Sequence, residues 1–581
     1  MIILGVVLFY FVPAAILAEV LRCVYLEHRR DRIPILLYLL ALAVRAGLVI
    51  LYPDPAYPDS SYYVDVARAL AAGHGLNLDF IWIFAEVGNH IPANPTLPIP
   101  GNAHWLPLAS FIQAPFIAVL GPTPWASAIP TVLIGSITAP LTWFIARDAG
   151  AIRAVALGAA ILAAIPAAGT VFMAQPENFA ILQPLVAATI WLTVRGLKGS
   201  TRSYVAAGFL VGLASLARND GFILGLAVGL IFVWDRARAW LSRGRVAPRL
   251  PWRAAVGCLG LYLVVMVPWF VRQEVTFGSI SPTTSGGAAL WIRTIQEWNS
   301  ITADPSLSKF LAQGPGQIIG SRIGGLIAAI GNFAVIICSV ILVPFLLIGA
   351  WLRRRSIDFG PWFLYAILVF AGAALLYPLH VPGGAFIHSA VGLEAHAYIL
   401  SMEGVAAMVL WIAKRRPRWN PKTAIPLFIG AVVGFTILTA PLDAIAVQAS
   451  WNASRAPRLA LASQLDSLGV APDDRILSID SSGIKYFTGR PGIVTPDDPI
   501  GTIEQVARAY DARWLVLERD DIVQALAPLL RGEQPPPWIG PPVFIVPAAD
   551  GGAPRLALFP VCTTDTDERC GTGPTLAAVT P

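Results

Sequence analysis

A short stretch after the second apolar segment of the chain carries residues that could do acid–base chemistry. Residues 53–59 read Pro-Asp-Pro-Ala-Tyr-Pro-Asp, and Asp59 ends this proline-stiffened loop directly before a predicted short helix. Ser60 or Ser61 could cap that helix, and Gly73 could close it. A carboxylate on rigid backbone can act as general base towards a hydroxyl or an amine. The alternative is a first-turn Asp that only interacts with the helix N-terminus.

Polar residues at the ends of other apolar segments are further candidates. Arg218 and Arg272 each stand at the boundary of a predicted membrane span, where a fork of N–H donors suits a phosphate group. Their alternative role is to extend the guanidinium to the membrane interface. Glu177 lies in a very short turn, where it either contacts a substrate or caps the next helix. His380 and His388 flank a Pro-Gly-Gly sequence near another helix end.

The elements that must position these residues are membrane helices. Of 581 residues, 56% are hydrophobic and only 13% are charged, which exceeds what a soluble core buries. A span takes about 20 apolar residues, and we place about twelve before residue 443. The predicted spans lie near 2–20, 33–52, 126–146, 153–173, 178–195, 203–217, 220–234, 254–271, 324–350, 360–378, 388–412 and 423–441. The predicted fold is therefore a mostly α helical membrane bundle.

The composition changes near residue 443, which predicts two domains. Residues 1–442 form the membrane domain, and residues 443–581 bring charges, prolines and strand-like runs. Buried strands are predicted at 475–479 and 514–518, with helical patterns at 503–510 and 522–530. Strands alternating with helices indicate a small soluble α/β domain.

The distribution of Lys and Arg predicts the orientation of the bundle. One set of connections holds 23 of these residues and the opposite set holds 6. The basic set comprises 22–32, 147–153, 195–202, 235–253, 353–355 and 414–422. Basic loops face the cytoplasm, so the long loops 53–125 and 272–323 and the C-terminal domain are predicted to face outward from the plasma (inner) membrane. The basic cytoplasmic loops account for the net charge of +6. No nucleic-acid partner is therefore expected.

Two cysteines in the outward domain, Cys562 and Cys570, are separated by a short polar loop. Disulfides persist outside the cytoplasm, so this spacing predicts a disulfide that closes a nine-residue loop. The alternative is a pair of free thiols.

Four motifs follow one another in order over residues 30 to 400. They are Pro58-Asp59 with Tyr62 or Tyr63, Ala67-Arg68 and Gly73-His74-Gly75-Leu76; His104-Trp105-Leu106-Pro107-Leu108; Ala217-Arg218-Asn219-Asp220-Gly221; and Pro268-Trp269-Phe270-Val271-Arg272. Together they resemble the type C membrane glycosyltransferases, in particular the group of the protein O-mannosyltransferases and the lipid A aminoarabinose transferases. The chain departs from the family at Gln273, where Asn is usual, and at Asp59-Ser60, where Asp-Glu is frequent.

The resemblance implies transfer of a sugar from a polyprenyl-phosphate carrier to a lipid, glycan or protein acceptor, with inversion at the anomeric carbon. It implies that Asp59 is the base and that the donor is bound by Arg218, Arg272, Glu177, His104, Tyr63, His380 and His388. The pocket then needs only hydrogen-bonding walls, so no metal and no cofactor are expected, although His388, Glu394 and His396 form a conceivable metal site. Asp65 and Asp79 are predicted to be solvated.

Two other functions fit the sequence less well. A ligase or polymerase acting on lipid-linked oligosaccharides shares the general architecture. A polysaccharide or lipid transporter would also have about twelve helices among membrane lipids, but its site is usually near the bilayer midplane, often with internal repeats. The second half shows no repeat of the first, and the candidate residues cluster at one end of the helices.

Overall fold

The computed structural model describes residue 18 and residues 31–243, 245–284, 290–376, 385–416, 418–563 and 568–570. The predicted span at 2–20 falls almost wholly outside these residues, and His380 lies outside them as well. The described residues are mostly helical. The α-helices are Ile33–Leu51, Pro58–Ala71, Leu108–Leu120, Pro124–Gly135, Thr138–Asp148, Arg153–Ala164, Phe179–Leu197, Thr201–Ala217, Gly221–Leu241, Trp252–Phe277, Ile295–Asn299, Leu307–Leu311, Pro315–Asn332, Val343–Arg353, Gly360–Ala371, Ala385–Ala390, Glu394–Ala413, Pro421–Leu438, Ala440–Ser467, Ser481–Thr488, Ile500–Ala509 and Ala527–Leu530.

Seven helical segments of the described chain are long and apolar enough to cross a membrane. They are Ile33–Leu51, Pro124–Asp148, Phe179–Leu197, Trp252–Phe277, Pro315–Ile337, Phe386–Ala413 and Pro421–Ser467. Five shorter apolar helices fall within or beside the predicted spans and the first long loop: Leu108–Leu120, Arg153–Ala164, Thr201–Ala217, Val343–Arg353 and Gly360–Leu376. The chain is thus an integral membrane protein with a helical bundle, as predicted.

Glycines let some of these helices pack with their backbones almost in contact. A Cβ added to Gly349 would lie 1.9 Å from the carbonyl oxygen of Leu400, and one added to Gly404 would lie 2.0 Å from that of Phe345. Such distances are far below van der Waals contact. Small residues at helix interfaces allow this close approach in membrane proteins. Helix Val343–Arg353 therefore packs directly against helix Glu394–Ala413.

The short helix after the first loop begins earlier than its sequence suggested. It spans Pro58–Ala71, with Tyr57 extended at its N-cap and proline in its first turn. Pro is well suited to that position, because its missing N–H would have no partner there. Asp59 therefore lies inside the first turn, and the expected caps by Ser60 or Ser61 are wrong. Gly73 has a φ of +82°, which suits the end of a helix.

A six-stranded mixed sheet forms the core of the C-terminal region. Its strand order is Phe80–Ile81, Gly492–Val494, Arg475–Ser478, Ala512–Glu518, Leu556–Pro560 and Phe544–Val546. The strands expected near 475 and 514 are both present, with helix Ile500–Ala509 between them. A separate antiparallel pair joins Asn77–Leu78 to Ile99–Pro100.

The edge strand Phe80–Ile81 comes from the first long loop, and the sequence did not predict it. It pairs in parallel with Gly492–Val494, so the loop and the C-terminal region share one sheet. The boundary placed at residue 443 stays a prediction, and helix Ala440–Ser467 runs across it. Cys562 and Cys570 are joined by a disulfide in the structure, with their Cα atoms 6.1 Å apart.

Candidate active site

Three polar side chains from distant parts of the chain meet beside the short helix. His388 Nε2 lies 3.8 Å from Asp59 Oδ2, and His388 Nδ1 lies 3.8 Å from Glu177 Oε2. The side chains of Asp59, His388 and Glu177 are 19%, 11% and 1% exposed. Asp59 thus keeps a route to solvent, whereas Glu177 is enclosed. The sequence nominated all three residues, and the structure brings them together.

Each member of this cluster is positioned by its own element. Asp59 stands in the first turn of helix Pro58–Ala71. Glu177 precedes helix Phe179–Leu197, and its Oε1 accepts a hydrogen bond from the Phe179 amide at 3.2 Å. His388 lies on helix Ala385–Ala390, and its ring stacks on Phe179 with centroids 4.1 Å apart. Glu177 therefore also caps the following helix, so the two alternatives left open by its sequence are compatible.

Arg218 supplies positive charge next to this cluster. It has an extended backbone between helices Thr201–Ala217 and Gly221–Leu241. Its Nε donates to Asp220 Oδ1 at 2.9 Å, and its side chain is only 10% exposed. Because the guanidinium has five N–H donors, this single ion pair leaves donors that could meet a phosphate.

Tyr63 is tied to the cluster through Asn178, which the sequence analysis had not singled out. Asn178 Nδ2 donates to Tyr63 Oη at 2.5 Å and to the Ala217 carbonyl at 2.7 Å. One amide thus connects the short helix, the Glu177 turn and the residue before Arg218. The only feature of the sequence that could have pointed to Asn178 is its position next to Glu177, because Asn is common in short turns.

Burial changes the acidity of the two carboxyl groups. It raises the pKa of Asp59 from 3.8 to about 6, although the charge of Arg218 opposes the shift, and Asp480 adds to it. Burial, followed by the charge of Asp59, raises the pKa of Glu177 from 4.5 to about 8. At neutral pH, Asp59 is therefore mostly ionised while Glu177 is mostly protonated. A carboxylate with a pKa near the working pH is well suited to be a general base.

The same three groups could hold a cation. One ligand atom each from Asp59, Glu177 and His388 lie within 4.8 Å of one another. No other group of three or more potential metal ligands among the described residues meets this spacing. His388, Glu394 and His396 therefore do not form the metal site that the sequence made conceivable. The nearby positive charge of Arg218 opposes a divalent cation at this position.

Two nominated residues lie apart from the cluster. The buried His104 belongs to an aromatic group, with its ring centroid 4.5 Å from Trp105 and 5.3 Å from Trp298. Burial and Arg218 lower its pKa to about 3, so it is neutral. Arg272 donates to the Gly101 carbonyl at 2.7 Å and to Gln273. Their contact with a substrate stays a prediction.

The expectation that Asp65 is solvated is wrong. Asp65 is 6% exposed, and its carboxylate lies 3.4 Å from Arg68. The helical pattern placed it on a polar face, but helix Leu108–Leu120 and the C-terminal helix Ser481–Thr488 both pack on helix Pro58–Ala71. Asp79 is 44% exposed and pairs with Lys485.

Buried polar contacts also link membrane helices in pairs, and one of them involves Arg45, which the sequence analysis did not single out. Arg45 is fully buried and donates to the Ala164 carbonyl at 3.2 Å. Glu394 accepts a hydrogen bond from Gln183. The signal was available, because an Arg inside an apolar segment is costly unless it is paired. The first contact joins helix Ile33–Leu51 to helix Arg153–Ala164, and the second joins helix Phe179–Leu197 to helix Glu394–Ala413.

Comparisons with known proteins confirm the resemblance found in the motifs. Residues 101–270 match the family described as dolichyl-phosphate-mannose-protein mannosyltransferase. Among curated protein sequences, none matches this chain.

Solved structures share its fold. ArnT from Cupriavidus metallidurans bound to undecaprenyl phosphate aligns with a TM-score of 0.51 and 14% identity over 92% of this chain and 98% of its own. The apo form of that protein aligns with a TM-score of 0.53 and 14% identity over 90% of this chain and 97% of its own. The oligosaccharyltransferase of Archaeoglobus fulgidus, complexed with Zn and sulfate, aligns with a TM-score of 0.51 and 13% identity over 91% of this chain and 73% of its own. The predicted type C fold is therefore confirmed.

Proposed function

We propose that this chain is a membrane glycosyltransferase that moves a sugar from a polyprenyl-phosphate donor to an acceptor, with inversion at the anomeric carbon. The observation that carries the proposal is the meeting of Asp59, Glu177 and His388 beside Arg218 in a type C fold. The matched mannosyltransferase family and the undecaprenyl phosphate bound to ArnT support the class of donor. The basic loops support a site that faces outward from the inner membrane.

The chemistry is a single displacement. Asp59 takes the proton from the acceptor hydroxyl or amine, and the acceptor atom forms a bond to the anomeric carbon. The bond from that carbon to the phosphate oxygen breaks, and its electron pair leaves with the polyprenyl phosphate. Arg218 stabilises the negative charge of this leaving group through charge-assisted hydrogen bonds. Glu177, which is mostly protonated at neutral pH, adds little competing negative charge.

The test is release of the carrier. Purified protein in detergent or nanodiscs is incubated with polyprenyl phosphates that carry different single sugars, with candidate lipid, glycan and peptide acceptors. Release of free polyprenyl phosphate that depends on an acceptor supports the proposal. Binding of donors without release, together with movement of a lipid across vesicles, would support a transporter instead.

Activity should rise with pH on the acid side. The base form of Asp59 is needed, and burial holds its pKa at about 6, so kcat/KM should increase between about pH 5 and 7 and reach half its plateau near pH 6. In the Arg218→Ala variant the opposing positive charge is gone, so the midpoint should move to higher pH. A wild-type profile that is flat from pH 5 to 7 would contradict the assignment of Asp59.

A chelator should leave carrier release unchanged. The proposed displacement uses Asp59 as the base and Arg218 as the positive charge that stabilises the leaving phosphate, so none of its steps requires a divalent cation. Release is measured before and after dialysis against EDTA, with metal content determined by mass spectrometry. Loss of activity that Mg²⁺, Mn²⁺ or Zn²⁺ restores would reassign Asp59 from base to metal ligand.

A further inference from the structure

The stretch before Asp59 carries a second carboxylate with no part in the proposed chemistry. Asp54 is 6% exposed. Its carboxylate oxygens accept hydrogen bonds from Tyr486 Oη at 3.0 Å and from Arg455 Nε at 2.5 Å. Both donors lie in the C-terminal part of the chain. A buried carboxylate is costly without partners, so these contacts fix Asp54 against the C-terminal region.

A third contact reaches the residue next to Asp59. Ser482 is fully buried, and its Oγ lies 3.0 Å from the Pro58 carbonyl oxygen and 3.1 Å from Asp480 Oδ1, the two acceptors available to its single hydroxyl proton. That carbonyl belongs to the peptide bond that joins Pro58 to Asp59. From the opposite direction, Gln175 Oε1, two residues before Glu177, accepts from the Ala56 amide at 3.0 Å. The stretch is thus held between the C-terminal region and the turn that carries Glu177.

The helix that carries Ser482 and Tyr486 is itself firmly anchored. Asp480 accepts from the Gly483 amide at 2.9 Å and so caps helix Ser481–Thr488. Arg458 donates to Asp480 at 2.6 Å and to Glu518 at 2.8 Å. All three charged groups are buried, and Glu518 ends a strand of the sheet. The start of this helix is therefore fixed to the sheet by charge-assisted hydrogen bonds.

The composition of the stretch makes these contacts matter for Asp59. Residues 53–59 contain three prolines, each of which fixes its own φ and restricts the residue before it. A segment with so few free dihedrals moves as a unit. We propose that the C-terminal domain sets the position of the Asp59 carboxylate, with Ser482 and Tyr486 as positioning residues. This role rests on the proposed function and is separate from acceptor recognition.

Two neighbouring serines provide a matched test. Ser481 and Ser482 are both fully buried at the start of the same helix, and each donates its hydroxyl to a backbone carbonyl of the first long loop. Ser481 bonds to Ile81 on the edge strand, at 2.6 Å, whereas Ser482 bonds to Pro58. Ser481→Ala and Ser482→Ala each remove a hydroxyl from the start of this helix, but only the Ser482 hydroxyl contacts the Asp59 stretch. The Ser482 hydroxyl also lies 3.1 Å from Asp480, whose cap on the helix is kept in both variants by the Gly483 amide.

We expect Ser482→Ala to lower kcat by about tenfold at unchanged donor KM, because a small misplacement of a catalytic group can cost up to about 10²-fold. Ser481→Ala should keep wild-type kcat. Tyr486→Phe, which keeps the ring that lies 4.2 Å from the Arg68 guanidinium, should lower kcat in the same way as Ser482→Ala. Thermal unfolding of all three variants, measured in parallel, checks that each remains folded.

Hydrogen exchange gives a readout that does not depend on activity. Amide exchange in a peptide spanning residues 59–63 should quicken in Ser482→Ala and Tyr486→Phe but not in Ser481→Ala. Equal effects of the two serine variants on exchange, or quicker exchange at unchanged kcat, would overturn the positioning role. If no donor is turned over by the wild type, the proposed function fails, while the exchange data still decide whether the C-terminal domain holds the Asp59 stretch.

Discussion

The Asp59→Asn variant is expected to lose turnover by about 10²- to 10⁴-fold, which is the usual contribution of acid–base catalysis. Asn keeps the size of the side chain and its position in the first helical turn, but it cannot take a proton from the acceptor. Donor binding should survive, because Arg218 is untouched. The measurement is the rate of polyprenyl phosphate release, with donor affinity measured separately by titration.

Asp65→Asn is the matched control for this variant. Asp65 stands on the same helix and is also buried, so the substitution tests loss of a buried carboxyl group without loss of the proposed base. Its turnover should stay near that of the wild type. Full activity of Asp59→Asn together with loss of activity in Glu177→Gln would move the base to Glu177, and Asp59 would then be a residue of the helix N-terminus.

The Arg218→Ala variant should lose both donor affinity and rate. A hydrogen bond to a charged group is worth about 1.5–3 kcal/mol, so kcat/KM should fall by about 10- to 150-fold, with a higher donor KM and a lower kcat. The contact exists in the ground state and strengthens as the phosphate leaves, which is why both constants change. Arg218→Lys should recover part of the loss, since it restores the charge but not the fork.

Arg272→Ala serves as the comparison. Its guanidinium is already engaged by the Gly101 carbonyl and by Gln273, and it lies 5.1 Å from the Trp269 ring. A smaller effect on donor KM is therefore expected. The reverse order, with Arg272→Ala losing donor affinity and Arg218→Ala retaining it, would place the donor phosphate at Arg272.

The sequence allowed the bundle and most members of the site to be predicted, because they leave local signals. Apolar segments of the right length predict spans, and polar residues at their ends predict a site at one end of the bundle. Asp59, Glu177 and His388 were each nominated in this way. Their mutual contact could not be predicted, since it depends on how helices hundreds of residues apart pack.

Other features leave almost no signal in one sequence. Strand Phe80–Ile81 has two residues, too few for a periodic pattern, and its partner lies more than 400 residues away along the chain. Asp65 was misplaced because an isolated helix wheel shows which residues share a face but not which elements cover it. Asp54 was read only as part of the proline-stiffened loop, because no local pattern marks its partners Arg455 and Tyr486.

The most direct measurement of the central claim is the anomeric configuration of the transferred sugar. A donor with a defined configuration at its phosphate bond is turned over by the wild-type protein, and the first product is analysed by NMR before any rearrangement. Direct attack by an acceptor that Asp59 has deprotonated predicts inversion at that carbon. Retention would contradict the account, because a single displacement by an acceptor that attacks from the side opposite the phosphate inverts that carbon.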